Sequence, residues 1–315
     1  MRRLLAVIAV AGLLLAACAE EEPTVGETGA TGETAVTGAT GPTAAATAAD
    51  CAAGADVPFV SAGTLTIGTD NPAFPPYFAG GETKENPDWK FNDPNTGEGF
   101  EAAVAYEVAS RMGFAADQVV WLVAPFGQTY KPGSKDHDFA IEQISYTPKR
   151  AQAVAFSDSY YDVNQALVAV AGTPITQATS IADLASYSLA AQIGTTNYDF
   201  INDVIQPDTE AGVYNSTSDA VAALNAGQID GIVVDLPTAL YLADPFVQEV
   251  KDGVVVGQFE NLSGEHFGMA FEKGNALVAC VNLALEEMRA DGTLADIQQT
   301  WLSEKTNVGE VPVLT

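Results

Sequence analysis

The chain has 315 residues, 47% of them hydrophobic, and a formal charge of −28 from 13 Lys and Arg against 41 Asp and Glu. That apolar content excludes a disordered chain, and the length allows about two domains. The scarce basic residues form no cluster, which excludes a nucleic-acid partner held by phosphate contacts, and the excess acid favours a soluble monomer.

Arg2 and Arg3 precede an apolar run at 4–15 that is too short to span a bilayer. With Leu15-Ala16-Ala17-Cys18 closing the run, residues 1–17 read as a signal peptide. The last of these resembles the cysteine of a bacterial lipobox. The resemblance implies a lipidated Cys18 at the mature N-terminus and an exported protein tethered to the cell membrane, periplasmic or cell-surface. A plain signal peptide with an incidental cysteine is the alternative. Residues 18–55 follow as anchor and linker, rich in Thr, Ala, Gly and Glu, with Gly at 26, 29, 32, 38 and 41. A collagen-like repeat would need a longer, unbroken and proline-richer run. Such a composition buries too little surface to offset the entropy of ordering, so a flexible tether is expected.

Beyond residue 56 the signals alternate. Residues 64–70 (TLTIGTD) predict a buried strand. Phe100, Val104, Val108 and Met112 recur every four residues before Gly113, which predicts a helix with a glycine stop. Strands are expected at 118–124, 165–172, 188–194 and 267–274. A helix–Gly227–strand run occupies 218–235, and two helices broken at Asp291-Gly292 occupy 275–302. This alternation predicts an α/β protein with largely parallel sheets, and about 250 ordered residues favour two lobes over one.

In open α/β sheets, ligands bind beyond the carboxyl ends of the strands. There the sequence places Asp70, Asp235, the run Gly194-Thr195-Thr196-Asn197, and Ser145 ahead of Thr147-Pro148-Lys149-Arg150. Gly194 permits a tight turn, and the hydroxyls and N–H groups after it suit an anion at a helix start, although an ordinary N-cap uses the same residues. Thr147 and Pro148 read as N-cap and first helical position, which puts Arg150 in a first turn that disfavours a cation. A bound carboxylate gripped bidentately would compensate; a surface ion pair is the other reading.

Six segments, GTDNPAFPPYF, GFEAAVAYEVASRMGF, ISYTPKRAQAVAFSDSYYDVNQALVAV, QIGTTNYDF, GQIDGIVVDLPTALYL and EEMRADGTLADIQQTWL, occur in this order. Together they resemble the polar amino-acid-binding proteins of ABC importers, solute-binding protein family 3, over residues 64–302. The resemblance implies a two-lobed α/β fold of the type II periplasmic-binding-protein class. Lobe 1 covers 56–166 and, with the C-terminal tail, 265–315; lobe 2 covers 167–264; two hinge strands cross at 165–170 and 265–271. It also implies site roles. Arg150 grips the ligand α-carboxylate with Ser145 and Thr196 beside it, Thr195 lies next to them, and Gln143 lines the site with its backbone. Asp235 receives the α-ammonium, Phe74 and Phe126 sandwich the side chain, and Asp70, Glu101, Glu142 and Gln192 line the side-chain pocket. The segment 126–139 departs from the family pattern, since Pro132 and Gly133 break the helix expected there, and one extra residue in NPAFPPYF blurs Asp70 and Phe74.

Three acids around one cavity need a cation or a shared proton. A cationic ligand such as arginine, lysine or ornithine is the simplest neutraliser; a neutral polar ligand such as glutamine is the alternative. Once Cys18 carries lipid, Cys51 and Cys280 remain as an even pair in an oxidising compartment, and a disulfide from the tether to lobe 1 is expected, against two free thiols. The expected function is that of an extracytoplasmic substrate-binding lipoprotein that serves ABC permease subunits, without cofactor, metal or catalytic residues. A small-acid dehydratase on the same fold, with Glu142 as general acid, is the rival. A sensory domain is the third reading, and the chain carries no fused signalling module for it. The two histidines, His137 and His266, form no ligand cluster, and His266 reads as structural.

Overall fold

Leu65–Thr69 (β1) is buried along its whole length, as a parallel strand covered on both faces must be. In this computed structural model, which describes residues 46–54, 57–81, 87–261, 264–303 and 311–315, β1 pairs in parallel with Val119–Val123 (β2) and Phe139–Ala140 (β3). Ala155–Phe156 (β4) and Ala270–Phe271 (β12) complete the sheet in the order β2-β1-β3-β12-β4, with β12 antiparallel to its neighbours. The signal peptide, Cys18 and most of the expected tether lie outside the described residues.

Helix Phe100–Arg111 (α2) buries Phe100, Val104 and Val108 in the core beside this sheet, with Met112 just past its end and Gly113 at φ 90°. Gly99 before it has φ 104°, and a Cβ there would sit 2.4 Å from Tyr77 O, so only glycine fits. Leu277–Ala290 (α8) and Thr293–Gln298 (α9) share the core, broken at Gly292 (φ 86°) as expected. The stretch read as tether is corrected at its end. Ala48–Ala52 (α1) is a five-residue helix with a Thr47–Asp50 capping box, and it buries Ala48 and Ala52. The Ala48 N–H donates to Glu287 Oε1 of α8 at 3.0 Å, and Cys51 is disulfide-bonded to Cys280.

The second sheet runs β13-β10-β6-β9-β7-β8. Its strands are Gln165–Val170 (β6), Leu189–Gln192 (β7), Gly212–Tyr214 (β8), Gly231–Asp235 (β9), Gly253–Phe259 (β10) and Val313–Leu314 (β13). Separate apolar clusters cover its two faces, one built around Ile232 and Leu224, the other around Val233 and Ile201. One strand in each sheet runs against the largely parallel direction expected. β7 is parallel to β8 and β9, but β6 is antiparallel to both β9 and β10. Strands that enter a sheet from the other lobe run against the βα units already there, so each sheet is mixed. The expected hinge strand at 165–170 is instead a buried strand of this sheet. The antiparallel pair is Tyr161–Asp162 (β5) with His266–Phe267 (β11). The tail also departs from lobe 1: β13 pairs in parallel with β10, and a Cβ on Gly257 would meet Leu314 Cγ at 2.6 Å, so Leu314 fills a glycine notch. No described helix is long and apolar enough to cross a membrane.

Candidate functional site

A cavity of about 310 Å³ lies between the two sheets, and its walls come from strand ends and helix starts of both. From the first sheet come Asp70, just past β1, and Glu142, Gln143 and Ser145, just past β3. They are joined by Phe74, Phe126 and Arg150, the last opening helix Arg150–Ala153 (α4). From the second come Gln192 at the end of β7, Thr195 and Thr196 at the start of Thr196–Phe200 (α5), and Asp235 at the end of β9. Of the side chains assigned by sequence, only Glu101 does not line this space.

Arg150 turns inward rather than to an acid at the surface. Thr147 Oγ1 accepts its N–H at 3.1 Å, although the helix opens at Arg150 after Lys149 rather than at Pro148 as expected. The guanidinium donates to Ser145 O at 2.7 Å and Gly194 O at 2.8 Å, and it lies 4.5 Å from the Tyr130 ring centroid and 5.5 Å from that of Phe126. Burial lowers its pKa. A guanidinium has five N–H donors, so two carbonyls do not exhaust it. Across the cavity Ser145 Oγ and Thr196 Oγ1 are 3.3 Å apart, and Tyr77 Oη bonds Thr238 Oγ1 at 3.1 Å, so the two sides are in contact. Thr195 is an ordinary N-cap, accepting from Tyr198 N at 3.2 Å, whereas Thr196 Oγ1 donates to Glu265 Oε1 at 2.5 Å.

Acid chemistry divides this site. Asp235 accepts from Asn197 Nδ2 at 3.1 Å. Burial, then the Glu265 charge, push its pKa up to about 7, against the lowering effects of Asn197 and Arg150. Glu142 is 5% exposed, and its Oε2 has no hydrogen-bond partner among the described residues. Burial first, then the charges of Asp70 and Glu101, hold it well above the ordinary carboxylate range. Asp70 accepts the N–H of Asn71 at 2.8 Å and that of Phe126 at 3.4 Å. The pocket role assigned to Glu101 is corrected. It is fully buried in the first turn of α2, behind the wall. Its carboxylate accepts the Gln143 N–H at 2.7 Å, and also the Gln143 amide and the Tyr160 hydroxyl. It therefore holds Gln143 in its left-handed conformation (φ 48°) instead of touching the cavity. Gln192 lines the cavity, but its carbonyl already accepts from Thr217 N at 2.9 Å and Thr217 Oγ1 at 3.1 Å.

The family described as bacterial extracellular solute-binding proteins, family 3, matches residues 80–304. The chain belongs to that family. This family-3 protein is 28% identical over 54% of its length to the ABC transporter glutamine-binding protein of Bacillus subtilis. It is 32% identical over 51% of its length to the histidine-binding periplasmic protein of Salmonella typhimurium. It spans 59% and 62% of those two relatives. A solved ancestral arginine-binding protein bound to glutamine is 29% identical, with a TM-score of 0.63, over 78% of this chain and all of that one. An ancestral arginine-binding protein bound to arginine gives 29% and 0.61, over 76% and 99%. The type II periplasmic-binding-protein fold follows.

Several wall residues of this family-3 protein went unread in the sequence. Asn197 was passed over as one of three polar residues in a turn. Thr238 and Tyr241 lie in Leu236–Leu242 (α7), and Asn215–Ser218 lead into Thr217–Asn225 (α6). The polar–acidic strand ends at Gln192 and Asp235 were the signal that could have led to these neighbours. Tyr130, which packs on the Arg150 guanidinium without lining the cavity, lies in the segment expected as a broken helix.

Proposed function

We propose that this protein is the extracytoplasmic solute-binding component of an ABC importer and captures a polar L-α-amino acid between its lobes. The observation that carries this is the pairing of unlike charges on opposite walls of one cavity. Arg150, beside Ser145 and Thr196, suits an α-carboxylate; Asp235 suits an α-ammonium. The names of the relatives, glutamine-, histidine- and arginine-binding, support the class. Asp70 and Glu142 favour a cationic side chain over a neutral one, and Phe74 and Phe126 would flank it. We assign Cys18 to a lipid anchor, an ABC permease as partner and the monomer as the working state. Calorimetry with the twenty amino acids on refolded protein, freed of carried-over ligand, tests the reading. Binding of arginine, lysine or glutamine is expected. Binding of leucine or glutamate without any of these three would overturn the pocket assignment.

The rival enzyme reading draws on Glu142, a buried acid poised to hold a proton. The Arg150–Asp235 pair favours capture, because it accounts for both ends of an amino acid. Turnover of small cyclic acids by the purified protein would reverse that preference.

A further inference from the structure

The β1–β3 register sets Gly68 beside Ala140, and the Gly68 carbonyl still accepts the Ile141 N–H at 3.0 Å. Two residues further along, this parallel register brings Asp70 and Glu142 to the same end of the sheet, where both line the cavity. Each is the first acid its strand presents beyond the carboxyl edge. Among the described residues Glu142 Oε2 is buried without a hydrogen-bond partner, and so is Thr69 Oγ1 on the neighbouring wall. The charges acting on Glu142 come from Asp70 and from Glu101 on α2, and both are negative. Glu101 cannot rescue it, because its oxygens are taken by Gln143 and Tyr160. Arg150, in the same loop as Glu142, donates to Ser145 O and Gly194 O. A buried carboxyl that faces other acids resists ionising without a cation beside it.

We propose that Glu142, set beside Asp70 at the cavity wall, holds a proton in the ligand-free protein and that the ammonium or guanidinium of an incoming side chain displaces it to solvent. The inference rests on the amino-acid-binding reading above and extends it to a coupling. The exchange balances: a cation enters, a proton leaves to the buffer, and two carboxylates remain facing one positive group. A neutral amide side chain leaves the proton where it is. Asp235 also sits near neutrality and gives up part of a proton to solvent when any α-ammonium binds, so it contributes alike to every amino acid. The diagnostic quantity is therefore the difference between a cationic and a neutral ligand.

Titration calorimetry of the refolded protein with arginine and with glutamine, in two buffers of different ionisation enthalpy at pH 6 and 7.5, reads that difference directly. Arginine is expected to release about one proton more than glutamine. Its affinity relative to glutamine should rise about tenfold per pH unit while Glu142 holds its proton. Glu142→Gln should remove the extra release. Arginine binding with the same proton count as glutamine overturns the proposal while leaving amino-acid capture intact, and so does capture of glutamine with no capture of cationic ligands. The wild-type measurement decides even where the variant fails to fold. Binding of no amino acid at all overturns the functional reading, and this inference falls with it.

Discussion

Replacing Glu101 by Gln tests whether a buried acid behind the cavity wall is held in its neutral form. Burial raises the Glu101 pKa from 4.5 to about 7, although hydrogen bonds from Tyr160 and Gln143 pull it down. The folded protein thus keeps a proton that the unfolded chain gives up near pH 4.5. The resulting stability is present in full below 4.5 and is lost as pH rises through about 7. At about 1.4 kcal/mol per unit, the loss comes to about 3 kcal/mol. An amide is neutral throughout, so Glu101→Gln escapes it. The variant instead turns an NH₂ group toward donors that need an acceptor, which costs about 1–3 kcal/mol at every pH. Urea unfolding of both ligand-free proteins from pH 4.5 to 8 separates the two effects. The stability of wild type minus variant should shrink by about 3 kcal/mol as pH rises. Glu142 and Asp235 titrate in both proteins, and the Glu101 charge that raises both in wild type adds to the same downward trend. A difference that stays constant with pH would refute the reasoning, whatever its size.

Arg150→Ala should weaken amino-acid binding by about 2–5 kcal/mol, as removal of a buried charge partner does; calorimetry showing a loss below tenfold would remove Arg150 from the carboxylate role. Replacing both Cys51 and Cys280 by Ser opens a loop of sequence separation 229. Chain entropy sets the loss at up to about 5 kcal/mol in denaturant unfolding, and thiol titration of denatured, unreduced protein should detect no free thiol from this pair. Cys18→Ser should move the protein from the membrane fraction to the soluble fraction, and persistence in the membrane would end the lipid-anchor proposal.

Much of the site was legible because strand ends are marked locally. Asp70, Ser145, Thr196 and Asp235 each follow an apolar run, and Arg150 contradicts its own helix dipole, which asks for a partner. Glu101 misled because its residue type suits a pocket. Its direction depends on how the start of α2 tucks behind the loop after β3, a contact between residues 42 apart in sequence. Helix α2 announced itself through four apolar residues at one spacing. Helix α1 could not, since five residues contain barely more than one turn, and its stability comes from α8 and a disulfide more than two hundred residues away. Strand β13 is two residues long, and no local pattern identifies a strand whose only support is a distant edge.

That last strand has a consequence for how the protein matures. Leu314 is buried in one of the two cores of the second sheet and occupies the notch left by Gly257. Residues 165–259 can pair among themselves as soon as they are made, yet that core stays unplugged until residues 313–314 arrive. Closure of so distant a contact is slow compared with local pairing. A chain that lacks residues 313–314 therefore carries an unfinished apolar groove on β10.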